Sequence, residues 1–346
     1  MIAPSSTGTL TGGALEGIGE ENVAGDAAQP IDILALQETT SNSTTVQPIA
    51  DALNAFYAYH TNQAGYAISP VQGTQSGSAS SGNGPNAVVY NTNTLQLVAS
   101  VGVGTPSGSG NGEYRQVMRY EFAPASVTAG TNNEFYVYVS HMKSGTGSTN
   151  AGYRNEEAAI IRNDSATLPS NARVLYMGDF NSSGSTDLWY EAMIAAGANA
   201  GVDPLNPTNT TVINWGASTT TTNILAAMDD SSTNLRYRDA YQFMTSNVLY
   251  GVAGGLAYVP RSFHIFANNG GVAYNGAVTS STALNSDLTT NGVGLAASVL
   301  YTDLSTASDH LPSVADYTIP TGGAAHHRRR RRPATTAQSV PAANWI

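Results

Sequence analysis

The stretch VLYMGDFN, residues 174–181, places an apolar run directly before Gly, Asp and Asn. That is the pattern of a buried strand that ends by presenting polar side chains. Gly178 suits a tight backbone there. A Gly-Asp pair also favours turns on its own account, and Asn181 after the aromatic residue tilts the stretch toward a site. Three more stretches repeat the arrangement: ILALQE (33–38), YVSHMK (138–143) and ASDHLP (307–312). Each delivers a carboxylate or an imidazole to a strand end. Such groups together can hold a cation, prepare a water and support developing charge on a phosphoester.

Working outward, the apolar run Ile31–Leu36 predicts a buried strand, and the recurrence of apolar residues from Val46 to Tyr59 predicts a helix. Gly and Ser from 73 to 84 interrupt both patterns and mark a loop. NAVVYN (86–91) and LQLVASVGV (95–103) read as two hairpin-related strands, followed by strands in YRQVMRYEFAP and EFYVYVSHM. RNEEAAIIRNDSATL has helical spacing at Ala158, Ile161 and Ala166, and a second helix follows from Leu188 to Ala196. Regular structure returns in LRYRDAYQFMTSNVL, with strands at Leu295–Tyr301 and Ser313–Ile319. After Pro320 the apolar period ends, so residues 1–320 read as one domain and 321–346 as a disordered Arg-rich tail.

With 41% hydrophobic residues among 346, the chain can fill a substantial core. Only 11% are charged, and Gly, Ser, Thr and Asn crowd the connections, which suits short strands better than a helical bundle. There is no cysteine, so any metal is held by oxygen or imidazole, which points to magnesium, calcium or manganese. The absence of Cys and scarcity of Lys fit a secreted or cell-surface protein, although no basic start and apolar run mark a signal peptide. No apolar stretch is long enough to span a membrane as a helix. Five of the fourteen basic residues form the run Arg328–Arg332; outside it, nine basic face twenty-four acidic residues, a net of -15. Such a body repels polyanions at long range unless cations or a local basic strip offset it.

Taken in order, the four motifs resemble the signature of the endonuclease/exonuclease/phosphatase superfamily, from about Ile31 to Ile319. The resemblance implies a four-layer α/β/β/α sandwich of two mixed sheets and a divalent-metal-dependent phosphodiester hydrolase. An endonuclease-like enzyme acting on DNA or RNA comes first by family frequency, and a phosphatase or lipid phosphodiesterase second. Glu38 and Asp309 would then serve the metal, Mg2+ first with Mn2+ or Ca2+ as substitutes. His141, Asp179, Asn181, Asp239 and His310 would be catalytic, with Arg115 and Asn181 also at the substrate. Asp239 is the candidate carboxylate for pairing with His310, and Asp229 and Asp230 are its rivals.

Each assignment has a plainer counterpart. Glu38 alone would be a solvated strand-end residue, and Arg115 is equally well an arginine on an exposed strand face. Lys143, the only lysine in the chain, reads more simply as a solvated loop cation. Arg154 and Glu157 read as setting helix position, and His264 as a surface or hydrogen-bonded structural residue. The resemblance also implies a first strand that ends in an Asn near the metal, and no such strand precedes Ile31. Losing it would leave sheet edges unpaired. A weakly active or inactive binding domain of the same fold is therefore the rival from another functional class.

Overall fold

Apolar runs and alternating segments sort into two large sheets in the computed structural model, which describes residues 13–21, 29–60, 64–75, 84–106, 115–130, 133–182, 186–208, 226–228, 234–237, 240–251, 254–268, 270–277, 302–304, 308–320 and 337–345. The first sheet runs in the order β12 (Ala257–Tyr258), β15 (Ser313–Pro320), β16 (Ala337–Trp345), β1 (Ile33–Leu36), β3 (Ala87–Asn91), β2 (Tyr66–Ile68), with β13 (His264–Ile265) also on β15. The second runs β4 (Leu95–Val103), β5 (Val117–Pro124), β6 (Phe135–His141), β7 (Val174–Asp179), β11 (Ala240–Thr245), β8 (Gly201–Val202). A small third sheet joins β14 (Gly276–Ala277), β10 (Asn234–Tyr237) and β9 (Ala227–Met228).

The strands β1, β15 and β16 pack across β7 and β11, which closes the two sheets on one core. Ile33, Leu34, Ala35, Leu175, Met177, Phe243 and Val314 on these strands are all buried, on one face or the other. Each large side chain removed from water there contributes about 1.5–3 kcal/mol.

Helices cover the outside. α2 (Gln47–His60) buries Ala50, Leu53, Phe56 and Tyr57 at helical spacing and lies against β2. Its entry turn begins at Ser41, whose side chain accepts from the Thr44 N–H at 3.0 Å, and Pro48 falls in the first helical turn, where a missing N–H costs nothing. On the second sheet α3 (Ser148–Ser165) pairs with α4 (Leu188–Ile194) and reaches β4. The short helices α1 (Ala14–Gly17) and α5 (Ser246–Leu249) complete the set among the described residues. The result is the expected four-layer sandwich.

Three expectations change. NAVVYN and LQLVASVGV are not hairpin partners: β3 has β1 on one edge and β2 on the other, so β4 crosses to the second sheet and pairs with β5. Residues 337–345 are not a disordered tail but the strand β16, between β15 and β1. Ladder hydrogen bonds are made by backbone groups common to nearly all residues, so the pairing of AQSVPAANW leaves no mark in its sequence. No strand precedes β1 among the described residues, and β1 is not left open, because β16 pairs along the edge away from β3. The strand expected at Leu295–Tyr301 lies outside the described residues, as do Asp229 and Asp230.

Beside the entry to β1, Asp32 is buried at 2% exposure, with its carboxylate on the Thr94 hydroxyl and its backbone carbonyl on the Asn91 N–H. Burial pushes its carboxyl up to about 7, with hydrogen bonds from Thr94 and Asn91 opposing and the Asp316 charge adding. A raised carboxyl binds its proton more tightly in the folded state. Its stabilisation is therefore complete below about pH 4 and lost as pH rises through about 7, on the order of 4 kcal/mol across that span. Thermal melts from pH 5 to 8 should show the wild-type melting temperature falling and the Asp32→Asn variant nearly flat; equal slopes would remove Asp32 as the cause.

Candidate active site

Four chain ends meet at one pole of the sandwich. β6 and β7 are parallel and in register, so their last residues, His141 and Asp179, lie side by side. Glu38 follows β1 by two residues, and His310 precedes β15 by three. The close pairing of β6 with β7 requires Gly178, since a Cβ there would fall on the main chain of Ser140.

Asp179 is at the centre, 2% exposed. His141 Nε2 stands 3.3 Å from its Oδ2, and His310 Nε2 stands 3.9 Å from the same oxygen. Glu38 Oε1 lies 3.8 Å from His141 Nε2. Asn181 holds Asp179 from the other side: its N–H donates to Oδ1 at 2.7 Å and its Nδ2 to Oδ2 at 3.1 Å. The same Nδ2 donates to the Met142 carbonyl at 3.0 Å. Both amide hydrogens of Asn181 are thus directed at the protein, so its amide acts here as a brace for Asp179.

Burial drives the His141 imidazole well below its ordinary value, and Arg115, His310 and Lys143 add to the effect. The ring is neutral at physiological pH. Two carboxylates face Nε2 while Nδ1 is buried with no hydrogen-bond partner among the described residues, which puts the single proton on Nε2. His310 is oriented differently, with Nδ1 against Asp309 Oδ1 at 2.9 Å. That hydrogen bond lowers the Asp309 carboxyl below its usual range, and with the ring proton on Nδ1 it leaves His310 Nε2 unprotonated, 3.9 Å from Asp179 Oδ2 and able to accept a proton. Asp309 therefore serves its own neighbour, the role the sequence assigned to Asp239, which lies outside the described residues.

Arg115 is not on an exposed strand face. It is 2% exposed and its Nη1 donates to the Met142 carbonyl at 3.2 Å, so this carbonyl gathers Arg115 and Asn181 together. A carbonyl leaves no mark in a sequence, and its part could not be read from the SHMK motif. Lys143 is likewise engaged: its N–H donates to Glu157 Oε2 at 2.7 Å and its Nζ to the Ser144 carbonyl at 3.1 Å. His264 is a structural residue, with Nε2 2.6 Å from the buried Glu21 carboxylate.

Glu38 has φ 56° and Asn181 has φ 46°, both in the left-handed region. Asn tolerates this; Glu does so at a cost of about 1 kcal/mol or more. The surrounding structure holds it in place. Thr39 donates both its N–H, at 3.2 Å, and its hydroxyl, at 2.7 Å, to the Pro85 carbonyl. Gly84 lies so close over Glu38 and Thr39 that any Cβ would meet their main chain.

Among the described residues no three His, Asp or Glu side chains form a ready cation cage. The donor chemistry nevertheless suits a hard divalent ion, since the Glu38 carboxylate, about a third exposed, and the buried Asp179 present oxygens around one imidazole nitrogen.

Arg154 fixes the loop that follows His141. It is 1% exposed, its Nη1 donates to the carbonyls of Lys143 at 3.0 Å and Gly145 at 2.9 Å, and its Nη2 meets Asp187 at 3.0 Å. This agrees with its reading as a positioning residue. Replacing it, Arg154→Met, should lower stability by about 2 kcal/mol, because the half-buried Asp187 carboxylate and two carbonyls lose their donor. A denaturant midpoint corresponding to less than about 1 kcal/mol would show that the clamp contributes little.

Among curated proteins none matches the sequence. Matches to solved structures are distant: the human Nocturnin catalytic domain with bound sulfate is 18% identical, covering 72% of this chain and 79% of that one at a TM-score of 0.42. A mannosyl-6-phosphatase of Bacteroides thetaiotaomicron is 16% identical over 82% and 83% of the two chains, at 0.43. D. rerio TDP2 complexed with single-strand DNA product is 11% identical over 66% and 87%, at 0.39. The sequence itself matches the family profile over residues 15–337, nearly its whole length, and the protein belongs to the Endonuclease/Exonuclease/phosphatase family, whose members are hydrolases of phosphoesters.

Proposed function

We propose that this chain is a divalent-cation-dependent phosphodiester hydrolase with endonuclease-like activity. The observation that carries the proposal is the convergence of His141 and His310 on one buried carboxylate oxygen of Asp179, with Glu38 beside His141. A family scaffold alone would not require it. Two imidazoles, one donor and one acceptor, around a fixed carboxylate are the parts needed to bind an anionic ester and move one proton.

Glu38 would hold the cation, Mg2+ by preference, with Asp309 and the Asp179 side of the site as further oxygen donors; Mn2+ or Ca2+ are substitutes. When bound, the ion would draw electron density from the phosphorus and offset charge on the non-bridging oxygens. The protein's own groups do the rest. Asp179, braced by Asn181, orients the attacking water, and His310 Nε2, with its tautomer set by Asp309, accepts the proton. His141, neutral and protonated on Nε2, donates a hydrogen bond toward the charge developing on the ester. Buried Arg115 supports that edge through its charge, and Asn181 keeps Asp179 from rotating away.

Nucleic acid is the substrate class ranked first. The acidic body makes cations at the site a requirement for a polyanion to approach. The test compares plasmid DNA, bis-p-nitrophenyl phosphate and p-nitrophenyl phosphate, each with Mg2+ and with chelator. Cleavage of the diesters should need the cation, and Asp179→Asn and His310→Ala should each reduce it by about 10²–10⁴-fold with unchanged melting temperature. Near-wild-type rates in either variant would dismiss this mechanism, and turnover of the monoester alone would make the protein a phosphatase.

A further inference from the structure

β1 and β15 carry two of the site's groups, Glu38 after one and His310 before the other, yet these strands do not touch. β16 lies between them, parallel to β1 from Ile33↔Ala342 to Leu36↔Trp345 and antiparallel to β15 from Ser313↔Asn344 to Pro320↔Ala337. Without it the two strands would face each other across two inter-strand spacings, about 9–10 Å, too far for any ladder bond. β16 also packs against β7 and β11 of the opposite sheet, and β7 ends in Asp179.

We propose that the chain's own C-terminal segment, residues 337–345, is the positioning element of the active site: it fills a strand slot between β1 and β15 and thereby sets Glu38 and His310 relative to Asp179. The catalytic consequence rests on the phosphodiesterase proposal, while the occupancy of the slot does not.

Register supports this. The end of β16 at Asn344 and Trp345 coincides with the end of β1 that leads to Glu38 and with the start of β15 that follows His310. Its other end, at Ala337, lies beside Pro320 at the opposite pole. A proline inside a central strand ordinarily argues against the strand, because it removes a ladder donor. Pro341 escapes the penalty by its position. It is opposite Asp316, whose N–H donates to the Ser262 hydroxyl at 2.9 Å and whose carbonyl accepts from Val259 at 2.9 Å, both away from β16. Asp316 and Pro341 are therefore a non-hydrogen-bonded pair, so the proline nitrogen is on the side toward β1. There the ladder begins one residue later, at Ala342, and the carbonyl that a donor at 341 would meet is that of Ile31, which already accepts from the Tyr66 hydroxyl at 2.8 Å. No donor is required of residue 341.

The absence of cysteine makes a direct test possible. Val314 and Ala343 are register partners two residues along from the Asp316–Pro341 pair, hence also non-hydrogen-bonded, with Cα atoms about 4.5 Å apart, within disulfide reach. The full-length double variant Val314→Cys with Ala343→Cys should form an intramolecular bridge on mild oxidation and melt at a higher temperature, whereas Val314→Cys with Ala342→Cys should bridge poorly. Failure of the in-register pair to bridge overturns the slot. A bridge that links two chains also overturns it, because the strand would then come from a second copy.

The positioning role is read in Ala343→Pro, which removes a donor on the β1 side. At a temperature where the variant is folded by circular dichroism, kcat/KM on bis-p-nitrophenyl phosphate should fall by about 10²-fold, the cost of a misplacement near 1 Å. The oxidised, bridged protein should keep its rate within about twofold of the reduced form, the limit expected of a bridge that leaves the strand in place. Full kcat/KM in Ala343→Pro, or loss of activity on bridging, overturns the role. If the wild-type chain hydrolyses none of the esters, the phosphodiesterase proposal and with it the catalytic role fail, and the bridging result still decides the slot.

Discussion

A carboxylate almost sealed from water, Asp179, is the constraint around which the rest of the site is organised. Removing its charge from solvent costs several kcal/mol unless donors replace the water. Asn181 supplies two, one from its main chain and one from its amide, and His141 brings a third N–H to 3.3 Å. His141 is itself kept neutral, chiefly by burial, so the carboxylate gains a dipole without a full counter-charge. Asp179 is thereby held in place, with Asn181 on one side and His141 on the other.

Holding these groups requires the backbone to adopt conformations it would otherwise avoid. Glu38 is left-handed because the turn behind it is tied twice to the Pro85 carbonyl and covered by Gly84. The loop after His141 is drawn inward at three carbonyls: Met142 by Arg115 and Asn181, then Lys143 and Gly145 by Arg154. The guanidinium groups thus orient the main chain on which His141 sits, and their planar, multi-donor shape suits that use better than lysine would.

Much of this was legible in the sequence for a simple reason. Apolar runs that end abruptly in Asp, His or Glu mark strand ends, and three such ends, at Glu38, His141 and Asp179, together with His310 just ahead of β15, lie at one pole. The helical spacing of Ala50, Leu53 and Tyr57 and of Ala158 and Ile161 likewise survives folding. What failed to show in the sequence was pairing. Nothing in NAVVYN reveals that both its edges are taken, and nothing in AQSVPAANW announces a central strand, because hydrogen bonds between backbones are blind to residue type. The burial of Arg115 and the part played by the Met142 carbonyl escaped for a related reason, since a sequence shows neither.

Net charge misleads in the same way, because a sum over the chain says nothing about the field at one pole. The body carries -15 outside its arginine run, yet Arg115 is buried beside the Met142 carbonyl, Lys143 follows directly, and both cations bear on His141. Burial lowers the Lys143 ammonium below its usual value, with Arg115 adding, which records how closely these positive groups are gathered. A cationic edge set in an acidic surface focuses an anionic ester more sharply than a uniformly basic protein would, because the surrounding carboxylates turn the substrate away everywhere else. On the proposed function, the acidic body would contribute to selectivity, and the basic groups beside His141 would be where an anionic ester settles.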